Sequence, residues 1–376
     1  MSFLVAGMLC FVSMTSSQSW IRINQLGYFP HATKAAVLAS KDSTLRVTHF
    51  EIRDAATGAR VQQMSSVEPA GAYGPFASTW RLDFSAFTTP GRYVLACDTV
   101  QSPSFRIAAD VFDGTADFLL RYMRQQRCGY NPFLRDSCHT RDGYMIYSGS
   151  LDSTYIDVTG GWHDAADYLQ YVTTSASATY QMLFAYEQSP EAFRDSFQAN
   201  GLPGSNGIPD VLDEARWGLQ WLLKMNPSAG VMFNQIADDR DHLGFRLPSL
   251  DTVNYGRGKE RPVYRCTGKP QGIYQYQNRA TGIASTAGKF SSAFGLGAML
   301  FKNTDSAFAA VLADRARSAY DYGWDNPGVC QTAPCRAPYF YEEDNWVDDM
   351  ELAAVQLARL TGKQWYVSEA SLLAAK

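Results

Sequence analysis

Two aspartates three residues apart carry the first chemical signal in this chain. In DVTGGWHDAADYLQYV, residues 157–172, Asp164 and Asp167 follow a Gly-Gly pair and precede an apolar periodic run. Taken as the first turn of a helix, the i, i+3 spacing sets both carboxylates on one face. Free N–H groups and the helix dipole there favour the ionised form. A pair so placed can hold a water molecule and remove its proton. An acidic N-terminal turn with no chemistry produces the same pattern, because Asp is common at helix starts.

Metal-ligand chemistry crowds the same region. RCGYNPFLRDSCHTRDG supplies Cys128, Cys138 and His139, and His163 stands immediately before Asp164. Two thiolates and two imidazoles suit the tetrahedral preference of zinc; a Cys128–Cys138 disulfide beside two unrelated histidines uses the same residues. Of the seven cysteines, Cys330 and Cys335 in VCQTAPC are spaced to close a small surface loop as a disulfide. In EEDNWVDDMELAA, Asp344, Asn345, Asp348 and Asp349 gather hard oxygen ligands at a helix start. Calcium, which takes about 6–8 oxygens, would use such a set, and so would an acidic helix cap.

The elements that must position these residues follow from length and pattern. A chain of 376 residues, at about 150 residues per domain, predicts two or three domains. Hydrophobic residues at 46% and charged residues at 19% describe a globular protein. The formal charge of −4, from 33 Lys+Arg against 37 Asp+Glu, leaves no diffuse basic field for nucleic acid. The apolar run at residues 3–14, FLVAGMLCFVSM, is too short to cross a bilayer of ~30 Å. With TSSQS after it, residues 1–18 read as a secretory signal, which places the protein outside the cell or in the periplasm. Short β-rich runs punctuated by turn clusters predict a β-sandwich over 19–109. From residue 110 to 376 the period becomes helical, with long loops such as 234–280, a length that favours functional loops. Helices in series fit a bundle, a solenoid or a helical barrel equally. The closing segment TGKQWYVSEASLLAAK begins a new helical pattern and stops without a cap or polar tail, so the chain is expected to be truncated.

GGWHDAAD is similar to the GGW-[HY]-DAGD signature of glycoside hydrolase family 9, the inverting cellulases and their relatives, with Ala166 where that family usually has Gly. NGIPDVLDEARWGLQWLLKM at 206–225 and YEEDNWVDDMELAAVQLARLTG at 341–362 resemble the family's helices in the same order, and IRINQLGYFPHATKAAVL resembles the immunoglobulin-like domain of one branch. The resemblance implies a multidomain chain, an N-terminal immunoglobulin-like β-sandwich followed by an all-α (α/α)6 barrel that is incomplete here. It implies inverting hydrolysis of β-1,4-glucosidic bonds in cellulose or related glucans, Asp167 as general base and Asp164 positioning the attacking water. The acid and base of an inverting glycosidase stand ~6.5–9.5 Å apart. The family's acid is a Glu beyond the segment matching EEDNWVDDMELAA; nothing in this chain matches it, and Glu342, Glu343 and Glu351 lie in the wrong motif. The acid is therefore expected beyond residue 376, and the fragment is expected to be severely impaired.

The same resemblance implies a structural zinc (Zn2+) on Cys128, Cys138, His139 and His163, and a structural calcium (Ca2+) at Asp344, Asn345, Asp348 and Asp349. It sets His242, in ADDRDHLGFRLP, and Tyr341 toward a bound sugar, while Trp162 reads as core. Three alternatives stay open: an exo-acting glucosidase or glucosaminidase of the same family, a non-catalytic sugar-binding fragment, and a zinc-stabilised adhesion module. Oligomeric state is not legible.

Overall fold

A computed structural model describes residues 18–376. The segment expected as a secretory signal thus lies outside the described residues, save Gln18. The chain divides into two compact units between Asp113 and Gly114.

The first unit is built of strands. One sheet has the order β1-β2-β6-β5, from β1 (Ser19–Arg22), β2 (Ala35–Ser40), β5 (Val67–Tyr73) and β6 (Phe76–Asp83). The other runs β4-β3-β7-β8, from β3 (Phe50–Asp54), β4 (Arg60–Met64), β7 (Gly91–Cys97) and β8 (Val100–Gln101), with β9 (Phe105–Ile107) also paired to β7. Side chains of both sheets, Ile21, Leu38 and Leu82 from one and Phe50, Ile52 and Leu95 from the other, share one buried cluster. The two faces are packed as a sandwich. The edge strand β5 is almost wholly exposed, and its register breaks around Pro69 and Gly71, which blunts it against pairing with another chain.

The second unit carries seven helices among the described residues: α1 (Thr115–Gln125), α2 (Val172–Gln188), α3 (Asp210–Met225), α4 (Ala284–Phe301), α5 (Ser306–Asp325), α6 (Val347–Thr361) and α7 (Gln364–Leu373). Helix α4 packs on α2, α5 and α6, α3 on α2, and α7 on α6. Its apolar residues surround the axis instead of forming a stripe, so it is buried on every side: of its residues only Lys289, Met299 and Leu300 escape full burial. Full burial of Phe290 and Phe294 contributes about 1.5–3 kcal/mol each. Close packing is bought with small residues, since a Cβ at Gly288 would stand 2.6 Å from the Asp349 backbone. No helix among the described residues is long and apolar enough to cross a membrane.

Strands in this unit were not anticipated. A hairpin joins β10 (Gly129–Asn131) to β11 (Asp136–Cys138), and a four-stranded sheet has the order β12-β15-β14-β13, from β12 (Tyr144–Ile146), β13 (Gln170–Tyr171), β14 (Phe233–Ile236) and β15 (Pro262–Arg265). These strands are too short to show a period of two. Two short stretches of the long segment expected as loop, 234–280, are therefore strands, and the first of them pairs with the strand that precedes α2.

Candidate active site and metal cluster

The aspartate pair does not lie on the first turn of a helix. Helix α2 begins at Val172, and Asp164 and Asp167 sit in a tight loop before it, closed by the Asp164 N–H donating to the Leu169 carbonyl at 2.9 Å. The reason is tertiary: Gln170 and Tyr171 pair with Ile236 and Gln235 of β14, which pulls the residues after the loop into a strand. The preceding glycines are needed there. Gly161 has φ +71°, and a Cβ on it would stand 2.6 Å from the Trp221 ring.

Backbone pairing then brings the motif against the end of α1. Cys128 N–H donates to the Gly161 carbonyl and His163 N–H to the Gln126 carbonyl, both at 2.9 Å. Trp162 is buried, and its Nε1 donates to Glu214 Oε1 at 2.8 Å. Glu214 also receives Arg127 through Nε at 3.1 Å and Nη2 at 2.7 Å.

The two carboxylates have different surroundings. Asp164 is fully engaged, accepting from Thr174 Oγ1 and from the Tyr341 hydroxyl at 2.7 Å each. Asp167 faces His242, with 3.3 Å between Oδ2 and Nε2. Ala166, Asp167, Asp241, His242, Gly244 and Phe245 line a cavity of about 210 Å³. Burial pushes the Asp167 carboxyl above the ordinary range, the neighbouring Asp164 charge adds to the rise, and His242 opposes it. Tyr341 does not project freely. Its ring meets Tyr171 edge-on at 4.9 Å, and burial together with the bond to Asp164 raises its phenol. Thr174, Tyr171 and the exposed Tyr339, whose ring centre is 6.0 Å from that of His242, were not singled out from sequence. Aromatic type alone gives no signal for Tyr171 and Tyr339 among 21 tyrosines, and one more hydroxyl in α2's first turn gives none for Thr174.

The four residues with zinc-ligand chemistry converge. One ligand atom from each of Cys128, Cys138, His139 and His163 lies within 4.8 Å of the others. The β10–β11 register pairs Gly129 with Cys138 and so sets the two sulfurs together. Both thiols are free, with no disulfide between them. Cys138 Sγ is 3.7 Å from His163 Nε2. His139 contacts Asp251 Oδ2 through Nε2 at 3.0 Å, which leaves its Nδ1 buried with no hydrogen-bond partner. An orphaned buried imidazole nitrogen beside two thiols and a second imidazole fits a metal ion.

The other expected ligand sets fare differently. Lys289 Nζ lies 2.5 Å from Asp349 Oδ2, and Asn345 Oδ1 accepts the Val347 N–H at 3.0 Å. The carboxylates of Asp344, Asp348 and Asp349 are not among the groups whose ligand atoms gather within 4.8 Å. The calcium set does not fit its ion. A second group that does gather, Asp238, Asp239 and Cys335, is already used: Arg240 and Tyr264 take Asp238, and the Arg336 and Ala337 N–H groups take Asp239. Cys330 and Cys335, expected to bridge a surface loop, are both free and buried.

Comparison with known proteins gives two family matches. Residues 112–375 match the model of glycosyl hydrolase family 9, and residues 16–102 match that of the cellulase N-terminal ig-like domain. Endoglucanase D of Acetivibrio thermocellus is 30% identical over 243 residues, 61% of this chain and 37% of that protein. Endoglucanase C of Cellulomonas fimi is 27% identical over 387 residues, 93% of this chain and 32% of that one. The chain therefore spans about a third of the length of these curated relatives. A crystal structure of a metagenome-derived glycoside hydrolase family 9 endoglucanase superposes with a TM-score of 0.73 at 30% identity, covering 95% of this chain and 64% of that one.

Proposed function

The chain belongs to glycosyl hydrolase family 9, behind a cellulase N-terminal ig-like domain, and on that premise we propose that it is the water-activating part of an inverting β-1,4-glucan hydrolase. The seven helices are the N-terminal portion of an (α/α)6 barrel, and the protein acts outside the cell or in the periplasm on cellulose or a related glucan. The endoglucanase names of its relatives support that substrate class.

The observation that carries the reading is the division of labour between the carboxylates. Asp164 has both oxygens occupied by hydroxyl donors, so it is fixed and serves to orient the attacking water. Asp167 has one ring nitrogen beside it and a cavity before it, so it is the group left to take the proton as general base. His242 steadies Asp167, and with Tyr339 it borders the place where a sugar ring would lie. The departing oxygen needs a proton from an acid on the opposite side of the sugar, a part assigned here to none of the described residues.

The ion at the cysteine–histidine cluster is zinc in this reading, held by the sulfurs of Cys128 and Cys138, His139 Nδ1 and His163 Nε2. A closed four-ligand set supplies a structural cross-link. The chain's part is to hold the loop ahead of Asp164 through His163. Calcium is not carried forward, because Lys289 stands against Asp349.

Fluoride release from β-cellobiosyl fluoride, whose leaving group needs no proton donor, tests the reading. Release is expected to vanish in Asp167→Ala; release at an unchanged rate would overturn the assignment. Saturable binding of cello-oligosaccharides in calorimetry is also expected, and its absence would point instead to a module that does not bind sugar.

A further inference from the structure

One ammonium group holds three segments of the helical unit together. Lys289 Nζ, on α4, lies 2.5 Å from Glu343 Oε1 and 2.5 Å from Asp349 Oδ2, and each of the three side chains is less than a fifth exposed. Asp349 belongs to the first turn of α6, and Glu343 to the loop before it. Glu343 Oε1 also accepts from Thr173 Oγ1 of α2 at 2.8 Å, and its carbonyl accepts from Gln331 Nε2 at 2.7 Å. Two residues before Glu343, Tyr341 places its hydroxyl on Asp164.

The charge arithmetic of the cluster asks for a cation. Two carboxylates face each other at low exposure. Burial pushes Asp349 up to about 7, with Glu343 and Asp348 adding to the rise and Lys289 opposing it. Without a positive charge between them, one of the pair would have to take up a proton. Calcium, with its preference for carboxylate oxygens, is one ion that could supply the charge. Here the position between Glu343 and Asp349 is filled from within the chain.

We propose that Lys289 is a built-in counter-ion that does the work of a divalent cation at this junction, so that the segment 341–349, and with it the bond from Tyr341 to Asp164, is anchored without calcium. The inference goes beyond the glucanase reading and is independent of whether the chain is active. Lys289 is a positioning residue acting through Glu343, not one that touches substrate.

The test uses the full chain, stripped of loosely held divalent ions on a chelating resin, with bound zinc checked by elemental analysis. Melting temperature and heats of CaCl2 titration are measured for the wild type, Lys289→Ala, Asp349→Asn and the double variant. The wild type is expected to show no saturable calcium binding and no shift in melting temperature. Lys289→Ala is expected to melt roughly 5–15 °C lower, to bind calcium saturably and to regain most of the loss in its presence, and the double variant to ignore calcium. Calcium stabilisation of the wild type that Asp349→Asn abolishes would overturn the proposal, and that arm decides even if Lys289→Ala does not fold. A Lys289→Ala protein as stable as the wild type would also overturn it, as would one that is destabilised and deaf to calcium.

Discussion

His242 Nε2 stands 3.3 Å from Asp167 Oδ2, a contact made across two loops by the short sheet that joins β13 to β14. The relationship sets the sign of a pH effect. Burial and the Asp164 charge raise the Asp167 carboxyl, while His242 lowers it. A general base must be ionised, so the acid limb of the pH–rate profile lies above the ordinary aspartate range. His242→Gln removes the lowering contribution, and the limb is expected to move to still higher pH. The loss on the plateau should be smaller than the about 10²–10⁴-fold of removing the base itself. A profile of kcat/KM against pH checks this; a limb that moves down or stays fixed would contradict it.

Asp251 supports the metal cluster from behind His139. Asp251 accepts from His139 on one oxygen and from Arg246 Nε, at 2.7 Å, on the other. Burial works against its charge, but these bonds prevail and hold the carboxyl well below the usual range. By fixing Nε2 of His139 they leave Nδ1 as the ligand nitrogen. Asp251→Asn is expected to weaken zinc binding about 10–100-fold, read by competition with a chromophoric chelator. Unchanged affinity would show that His139 is not held this way.

Glu214 and Arg127 form a pair in which each side chain is 1% exposed. Glu214→Ala strands a guanidinium in the interior and removes the partner of Trp162. A loss of about 3–5 kcal/mol in denaturant unfolding is expected, and Glu214→Gln should lose less because it still accepts from Trp162. A Glu214→Ala protein within about 1 kcal/mol of wild type would contradict the assignment of Glu214 as the anchor of the Gly-Gly-Trp segment.

What was legible in the sequence was what is local. The helical period that sets in at residue 110 is legible in the local pattern, and Cys138–His139 beside WHD declares ligand chemistry by residue type. The Asp164–Asp167 loop was misread as a helical turn because the periodic pattern of α2 extends backward past Val172, while the pairing that forbids the helix comes from Gln235 and Ile236, far along the chain. Lys289 was invisible for the same reason. Nothing in TAGKFSS signals that its ammonium will meet Glu343 and Asp349 on other elements, and so a carboxylate-rich turn looked like a calcium site.

The central claim is that Asp167, aided by Asp164, turns water on a glycosidic carbon, and β-cellobiosyl fluoride tests it most directly. Fluoride departs without a proton donor, so the reaction depends on the base alone and not on the acid. Proton NMR of the first-formed product is expected to show the α anomer, with the rate in Asp167→Asn reduced by about 10²–10⁴-fold. A β anomer formed first, or an unchanged rate in Asp167→Asn, would contradict the account.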